Sequence, residues 1–224
     1  MDRPPGEHDV RVKVCCITSE EEASAAVSLG ADRVGLIAAH PGVETGLSDR
    51  VLAETGNWVP ETTDRVLLTP YLDAPSIVAH VERVGVGVVQ ICDHVDQEVH
   101  HAIRAACPLL EIVQVVHVES PSSVGLAQVM ARSVDALLLD SGVSGADFSA
   151  LGGTGKIHDW AISRAIVDAV SVPVWLAGGL NPENVGRGIE TVRPYGVDLC
   201  SGVRSEGALD RSKLRRFMAA VRSG

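Results

Sequence analysis

The segment Pro173-Val174-Trp175-Leu176-Ala177-Gly178-Gly179-Leu180-Asn181-Pro182 holds a whole strand-to-helix transition in ten residues. A short apolar, β-favouring run meets two glycines. Asn and Pro follow, a pair that caps a helix and fills its first turn. The same order appears on both sides. Upstream, the apolar run from Ala136 to Leu139 ends in Asp140-Ser141, and Gly152-Gly153-Thr154-Gly155-Lys156 leads on to Asp159, which reads as a helix N-cap. Downstream, residues 196–200 run into Ser201-Gly202-Val203.

The pattern extends to the start of the chain. β-rich runs lie at 11–17, 33–37, 65–69, 86–91, 111–116 and 135–140, before those at 173–177 and 196–200. Helical patterns fill 20–29, 75–84, 97–106, 122–132, 161–170, 182–191 and 210–221, with a weaker signal around 48–56. Ser19 before Glu20-Glu21-Glu22 reads as a cap and capping box. Eight strands alternating with helices in 224 residues predict an α/β fold, a single (β/α)8 TIM barrel. A doubly wound open sheet is the other arrangement with this alternation. Residues 1–10 are polar, carry two prolines and no signal-peptide core, and are expected to be a flexible segment ahead of one domain at 11–224.

Composition narrows the partners. Hydrophobic residues make up 46%, enough for a large core, and the formal net charge is −10. An acidic chain is a poor match for a nucleic-acid backbone, and no apolar run approaches a membrane span. The five cysteines, at 15, 16, 92, 107 and 200, are odd in number and lie in or beside apolar runs. They are expected to be free thiols in a reducing cytoplasm, and none has zinc-ligand spacing. Cys92-Asp93-His94 is only a weak match to a metal set.

Strand alternation sorts the side chains of the barrel. Lys13 and Cys15 are expected to face inward, together with Gln90, Gln114, Asp140 and Asp198. Val89, Val113, Val115, Leu139, Val197 and Leu199 are expected to face outward. Lys13 and Asp198 on neighbouring strands suit either a buried ion pair or a site. Cys15 and Asp140 stand at strand C-terminal ends, where barrel active sites form. An acid and a base across the mouth suit proton shuffling, with Lys13 placed to lower the Cys15 pKa. Three glycine turns on the last three units suit a backbone phosphate cradle, with Gly153, Gly155, Gly178, Gly179, Ser201 and Gly202 as its candidates. These features point to an enzyme acting on a phosphorylated small molecule. Among the histidines, His100 and His101 are expected on a solvated helix, His40, His94 and His117 within reach of the mouth, and His158 in a loop.

These residues resemble the phosphoribosylanthranilate isomerase family. Lys13-Val14-Cys15-Cys16-Ile17-Thr18 matches the family's Lys-Ile-Cys-Gly-Ile-Thr, and Gly30-Ala31-Asp32-Arg33-Val34-Gly35 matches its entry to strand 2. The likeness is densest from Leu138 to Val203, through Leu139-Asp140-Ser141, Gly152–Lys156, Asp159-Trp160, Leu176–Val185, Gly196-Val197-Asp198 and Ser201-Gly202-Val203. The resemblance implies a single barrel with no cofactor or metal. It implies an Amadori rearrangement in tryptophan biosynthesis, which opens a phosphoribosylamine ring and yields an aminoketose. Cys15 would be the general base at the sugar C2 and Asp140 the general acid at the ring oxygen. Lys13, Gln90, Asp198 and Arg204 are further substrate-site candidates. The resemblance leaves oligomeric state open.

The middle of the chain departs from the family. Thr45 stands where the family carries an Arg for the anthranilate carboxylate, and Arg50 or Arg204 is the available substitute. Cys16 replaces a glycine. Val89-Gln90-Ile91-Cys92-Asp93 replaces Val-Gln-Leu-His-Gly, and residues 142–151 form a longer loop. Two other readings fit the same residues: an isomerase of a different phosphoribosyl amine, and a non-catalytic phosphometabolite-binding barrel.

Overall fold

The computed structural model describes residues 10–41, 43, 45–145 and 157–223. The segment expected to be flexible lies outside them apart from Val10, and so do Gly153 and Gly155.

Eight parallel strands close into a barrel in the order of the sequence. They are β1 (Arg11–Val14), β2 (Arg33–Ile37), β3 (Asp64–Thr69), β4 (Val88–Ile91), β5 (Glu111–His117), β6 (Ala136–Asp140), β7 (Val174–Leu176) and β8 (Gly196–Leu199). The helices that follow them are α1 (Glu20–Ser28), α2 (Asp49–Glu54), α3 (Ala74–Val84), α4 (Gln97–Ala106), α5 (Ser123–Met130), α6 (Trp160–Ala169), α7 (Val185–Val192) and α8 (Arg211–Ser223). Closure is made by β1 against β8, where Val12 pairs Val197 and Lys13 pairs Asp198. The open-sheet alternative is thereby removed.

Local chemistry sets the element ends. Ser19 Oγ accepts from Glu22 N at 3.2 Å and caps α1. Asp159 Oδ1 accepts from Ala161 N at 2.9 Å and caps α6. The weak signal at 48–56 is α2 followed by a 3-10 turn. β1 stops short of its expected end because Cys16 turns the chain at φ +65°. The start of α7 also differs. Asn181 caps a leading turn, its Oδ1 accepting from Glu183 N at 2.9 Å and Asn184 N at 3.1 Å, and the helix itself begins at Val185. Asn184 answers with Oδ1 on Asn181 N and Nδ2 on the Gly179 carbonyl, so the two amides fasten the glycine turn after β7.

The apolar residues form two layers. An outer core between strands and helices includes Leu36, Leu67, Ile112, Leu139, Val197 and Phe217. An inner core fills the barrel with Val66, Leu68, Val88, Val113, Val115, Leu138 and Trp175. At its N-terminal end Arg33 stacks 4.9 Å from the Trp175 ring and bonds Glu111 through two 2.8 Å contacts. The barrel is therefore plugged at its N-terminal end.

On β5 the expected faces are reversed. Val113 and Val115 belong to the inner core, while Gln114 points out to the helices. There it accepts from His100 Nε2 at 2.9 Å and donates to the carbonyls of Ile91, Asp93 and Val115. Polarity alone did not mark the inward face, because a buried amide is tolerated wherever its hydrogen bonds are made. His100 is correspondingly fully buried, and only His101 is solvated. Burial holds His100 below its usual pKa.

The free-thiol expectation also fails for one pair. Cys16 and Cys200 form a disulfide with Cα atoms 5.9 Å apart. They stand 184 residues apart in sequence, but one follows β1 and the other follows β8, and barrel closure makes them neighbours. Cys15, Cys92 and Cys107 remain free.

Candidate active site

Lys13 is the floor of the mouth. Its side chain is buried inside the barrel, with Nζ 2.9 Å from Asp198 Oδ2, 3.0 Å from Gln90 Oε1 and 3.6 Å from Cys15 Sγ. Burial opposes the ammonium, but Asp198 and the Cys15 thiol outweigh it and hold Lys13 above its ordinary pKa. Burial pushes Asp198 up against the pull of Lys13. The 2.9 Å contact keeps the pair ionised. Lys13, Gln90 and Asp198 thus come together as expected, as one interior network that joins β1, β4 and β8. Asp198 Oδ1 is buried and lacks a partner among the described residues.

Cys15 lies one step above Lys13. It is 6% exposed. Burial raises its thiol to about 11, and the nearby Lys13 only partly offsets this. The resting thiol is therefore protonated, which corrects the expectation of a lowered pKa. Close packing fixes its position, since a Cβ on Gly35 would lie 2.6 Å from Cys15 Sγ.

Asp140 ends β6 at the rim. Burial lifts its carboxyl above the usual range, and the Ser141 backbone N–H, donating to Oδ1 at 2.8 Å, resists that shift. A carboxyl held toward its neutral form is suited to giving up a proton. Cys92 feels both Cys15 and Asp140, and its own thiol is pushed up to about 12, chiefly by burial. His117, the last residue of β5, pairs in register with Asp140.

The turns after β6, β7 and β8 lie backbone against backbone. Gly178 has φ +81°, and a Cβ there would fall 2.1 Å from Ser141 Oγ. A Cβ on Gly202 would fall 2.0 Å from the Leu180 carbonyl oxygen. Gly178, Gly179 and Gly202 are partly exposed and Ser201 is exposed, and all four follow the C-terminal ends of β7 and β8, the end of the barrel where Cys15 and Asp140 stand. Behind them His158 bridges Ser141 Oγ at 2.9 Å and Ser163 Oγ at 2.6 Å, and burial brings it down to about 4. It is a neutral strut, in keeping with its reading as a loop residue.

Arg204 is committed elsewhere. Its guanidinium bonds both carboxylate oxygens of Glu22, the Cys16 carbonyl and the Gly207 carbonyl, which ties the turn after β8 to the start of α1. Arg50 is 80% exposed and pairs with Glu54 on its own helix. Thr45 is partly buried in the turn before α2. Among the described residues no group of three or more His, Cys, Asp or Glu side chains has a metal-binding arrangement. Asp93 instead latches the β6 loop by accepting from Gly145 N at 3.0 Å. No helix among the described residues is long and apolar enough to cross a membrane.

The family model for N-(5′-phosphoribosyl)anthranilate isomerase matches residues 12–220, the whole barrel. The chain belongs to that family. A Methanosarcina mazei N-(5′-phosphoribosyl)anthranilate isomerase 2 is 37% identical over 211 residues, covering 93% of this chain and 92% of its own. The Halobacterium salinarum isomerase is 39% identical over 218 residues, with 93% and 94% covered. Among solved structures, the Thermotoga maritima isomerase superimposes with a TM-score of 0.82 at 27% identity, covering 96% of this chain and all of that one. An isomerase in complex with reduced 1-(o-carboxyphenylamino)-1-deoxyribulose 5-phosphate has a TM-score of 0.80 at 25% identity, with 96% and 100% covered. This chain is accordingly a phosphoribosylanthranilate isomerase, an intramolecular aldose–ketose isomerase of tryptophan biosynthesis.

Some parts of the isomerase's mouth had no signature in the sequence. The Glu22–Arg204 latch joins residues 182 apart. The Ser141–His158–Ser163 strut joins the turn after β6 to α6 with no shared motif. His117 carried only its place after strand 5.

Proposed function

We propose that this isomerase opens and rearranges N-(5′-phosphoribosyl)anthranilate between Asp140 and Cys15. Asp140 gives its proton to the ring oxygen as the C1–O bond breaks, and the amine lone pair forms the C=N bond of an iminium. Cys15 releases its thiol proton to solvent as the iminium charge develops beside it, then as thiolate takes the proton from C2, and the electron pair left behind neutralises the iminium as an enolamine. Protonation at C1 and loss of the hydroxyl proton then give the aminoketose. Lys13, 3.6 Å from the sulfur, and the iminium charge both favour the thiolate. Gly178, Gly179, Ser201 and Gly202, with Gly153 and Gly155 from the loop after β6, are the proposed phosphate cradle, donating backbone N–H groups. Gln90 and Asp198 hold Lys13 in place.

The observation that carries this reading is the pairing of a carboxyl held toward neutrality with a thiol held beside an ammonium, both at the C-terminal end of one barrel. A similar solved isomerase is in complex with reduced 1-(o-carboxyphenylamino)-1-deoxyribulose 5-phosphate, a phosphorylated compound of the proposed class. The proposed compartment is the cytoplasm. Steady-state turnover of N-(5′-phosphoribosyl)anthranilate by the wild-type protein, Cys15→Ser and Asp140→Asn tests the assignment. Near-normal turnover in either variant removes that residue from the reaction.

A further inference from the structure

His117 is a polar side chain that the assignment above leaves unused. It ends β5 with the parity of Val113 and Val115, both in the inner core, so it faces into the barrel. It is 3% exposed. Its Nε2 lies 3.1 Å from the Cys92 carbonyl oxygen. A carbonyl only accepts, so Nε2 carries a hydrogen, and in the neutral ring Nδ1 is then the acceptor. That Nδ1 is buried and has no partner among the described residues. A buried acceptor without a donor calls for an explanation. Here it sits beside the proposed general acid, its register partner across β5 and β6.

The chemistry of the substrate class restricts what can satisfy it. Phosphate and carboxylate groups only accept, so neither pairs with a bare imidazole nitrogen. Ribosyl hydroxyls donate. β5 also lies on the side of β6 away from β7 and β8, whose turns form the phosphate cradle. The imidazole therefore meets the sugar beyond the ring oxygen, toward C2 and C3. We propose that His117 is a substrate-contacting residue whose Nδ1 accepts a hydrogen bond from a ribosyl hydroxyl next to the bond that Asp140 helps to break. This rests on the reading of Asp140 as the acid. It also accounts for a departure in the sequence. The family pattern Val-Gln-Leu-His-Gly carries an imidazole at the end of β4, where this chain has Cys92. Here the neighbouring strand supplies a ring that hydrogen-bonds to that same residue's backbone.

The test uses the full chain with His117→Ala, His117→Phe and His117→Asn. It measures kcat/KM for N-(5′-phosphoribosyl)anthranilate, inhibition by inorganic phosphate, and thermal midpoint. Losing a hydrogen-bond acceptor for a buried hydroxyl lowers kcat/KM by about tenfold in the Ala and Phe variants. The inhibition constant of inorganic phosphate stays unchanged, and the Asn amide, whose oxygen can stand near Nδ1, recovers part of the loss. Phe retains the ring volume and Ala removes it, so whichever folds carries the test. A folded Ala or Phe variant within twofold of wild type overturns the proposal, whatever its thermal midpoint, and so does a loss shared equally by phosphate binding. Asp140→Asn assayed in parallel separates the two readings, because full activity there defeats the acid assignment without touching the His117 result.

Discussion

Gly35→Ala tests how the thiol is held. A methyl group at this position would lie 2.6 Å from Cys15 Sγ, 3.0 Å from its Cα and 3.2 Å from its Cβ. Ordinary contact begins near 3.4 Å, so the sulfur would have to retreat by roughly 0.8 Å, and the backbone behind it must also give. Overpacking of this kind costs about 1–3 kcal/mol, which in a chain of this size lowers the thermal midpoint by roughly 2–4 °C per kcal/mol. The larger effect is on the reaction. A reacting group misplaced by about 1 Å costs near 10²-fold in rate. The retreat also disturbs the 3.6 Å contact with Lys13 that favours the thiolate. We expect kcat to fall about a hundredfold with KM little changed, because the phosphate turns stand on β7 and β8. Thermal denaturation and steady-state kinetics on the same preparation read both effects. A folded variant with kcat within twofold of wild type would refute the proposed role of Cys15 as a base held against β2.

Asp140→Asn is expected to cut turnover by about 10²–10⁴-fold while retaining phosphate binding. The same substitution should raise stability at neutral pH. Burial raises the Asp140 pKa in the folded state, so its contribution is whole below the unfolded carboxyl range and declines as pH rises through the raised native value. Asn does not titrate, so urea midpoints of the two proteins should diverge in favour of the variant as pH rises above the ordinary carboxyl range; a variant that is weaker at neutral pH counts against the raised pKa. Thr45→Arg should lower KM for N-(5′-phosphoribosyl)anthranilate, improving kcat/KM about tenfold, because Arg204 and Arg50 are both paired elsewhere; no change in KM means another group already holds the carboxylate. Cys200→Ser should lower the thermal midpoint under non-reducing conditions by more than Cys16→Gly does. Both break the disulfide, but glycine also relieves the φ +65° backbone at position 16, a strain of about 1–2 kcal/mol for other residues. Equal losses would show that the turn is unstrained.

The eight-unit barrel was legible because each unit announces itself locally. An apolar run, a glycine or a cap, and a helical period recur along the chain, and parallel pairing leaves few ways to close them. The proposed reactive positions come from a related signal, since Cys15 and Asp140 stand where runs end. What escaped depended on who meets whom across the barrel. Gln114 reads as inward until His100 arrives from α4 to satisfy it. The pKa of Cys15 turns on how deeply it is buried, and no spacing of residues reports that. Arg204 reads as an available cation, but Glu22 reaches it from the other end of the chain. The Cys16–Cys200 bond is invisible for the same reason, because it exists only once the ends of the chain have met.

That bond changes what the chain is. Between Cys16 and Cys200 the polypeptide is a covalent ring that contains β2 through β8, and the segments outside it are two tails. A single cut anywhere within the ring, including the long loop after β6, leaves one molecule rather than two. Such a cut would appear as separate fragments only on a reducing gel. The strands that close the barrel, β1 and β8, are bound to each other by a link that hydrogen bonds alone do not provide.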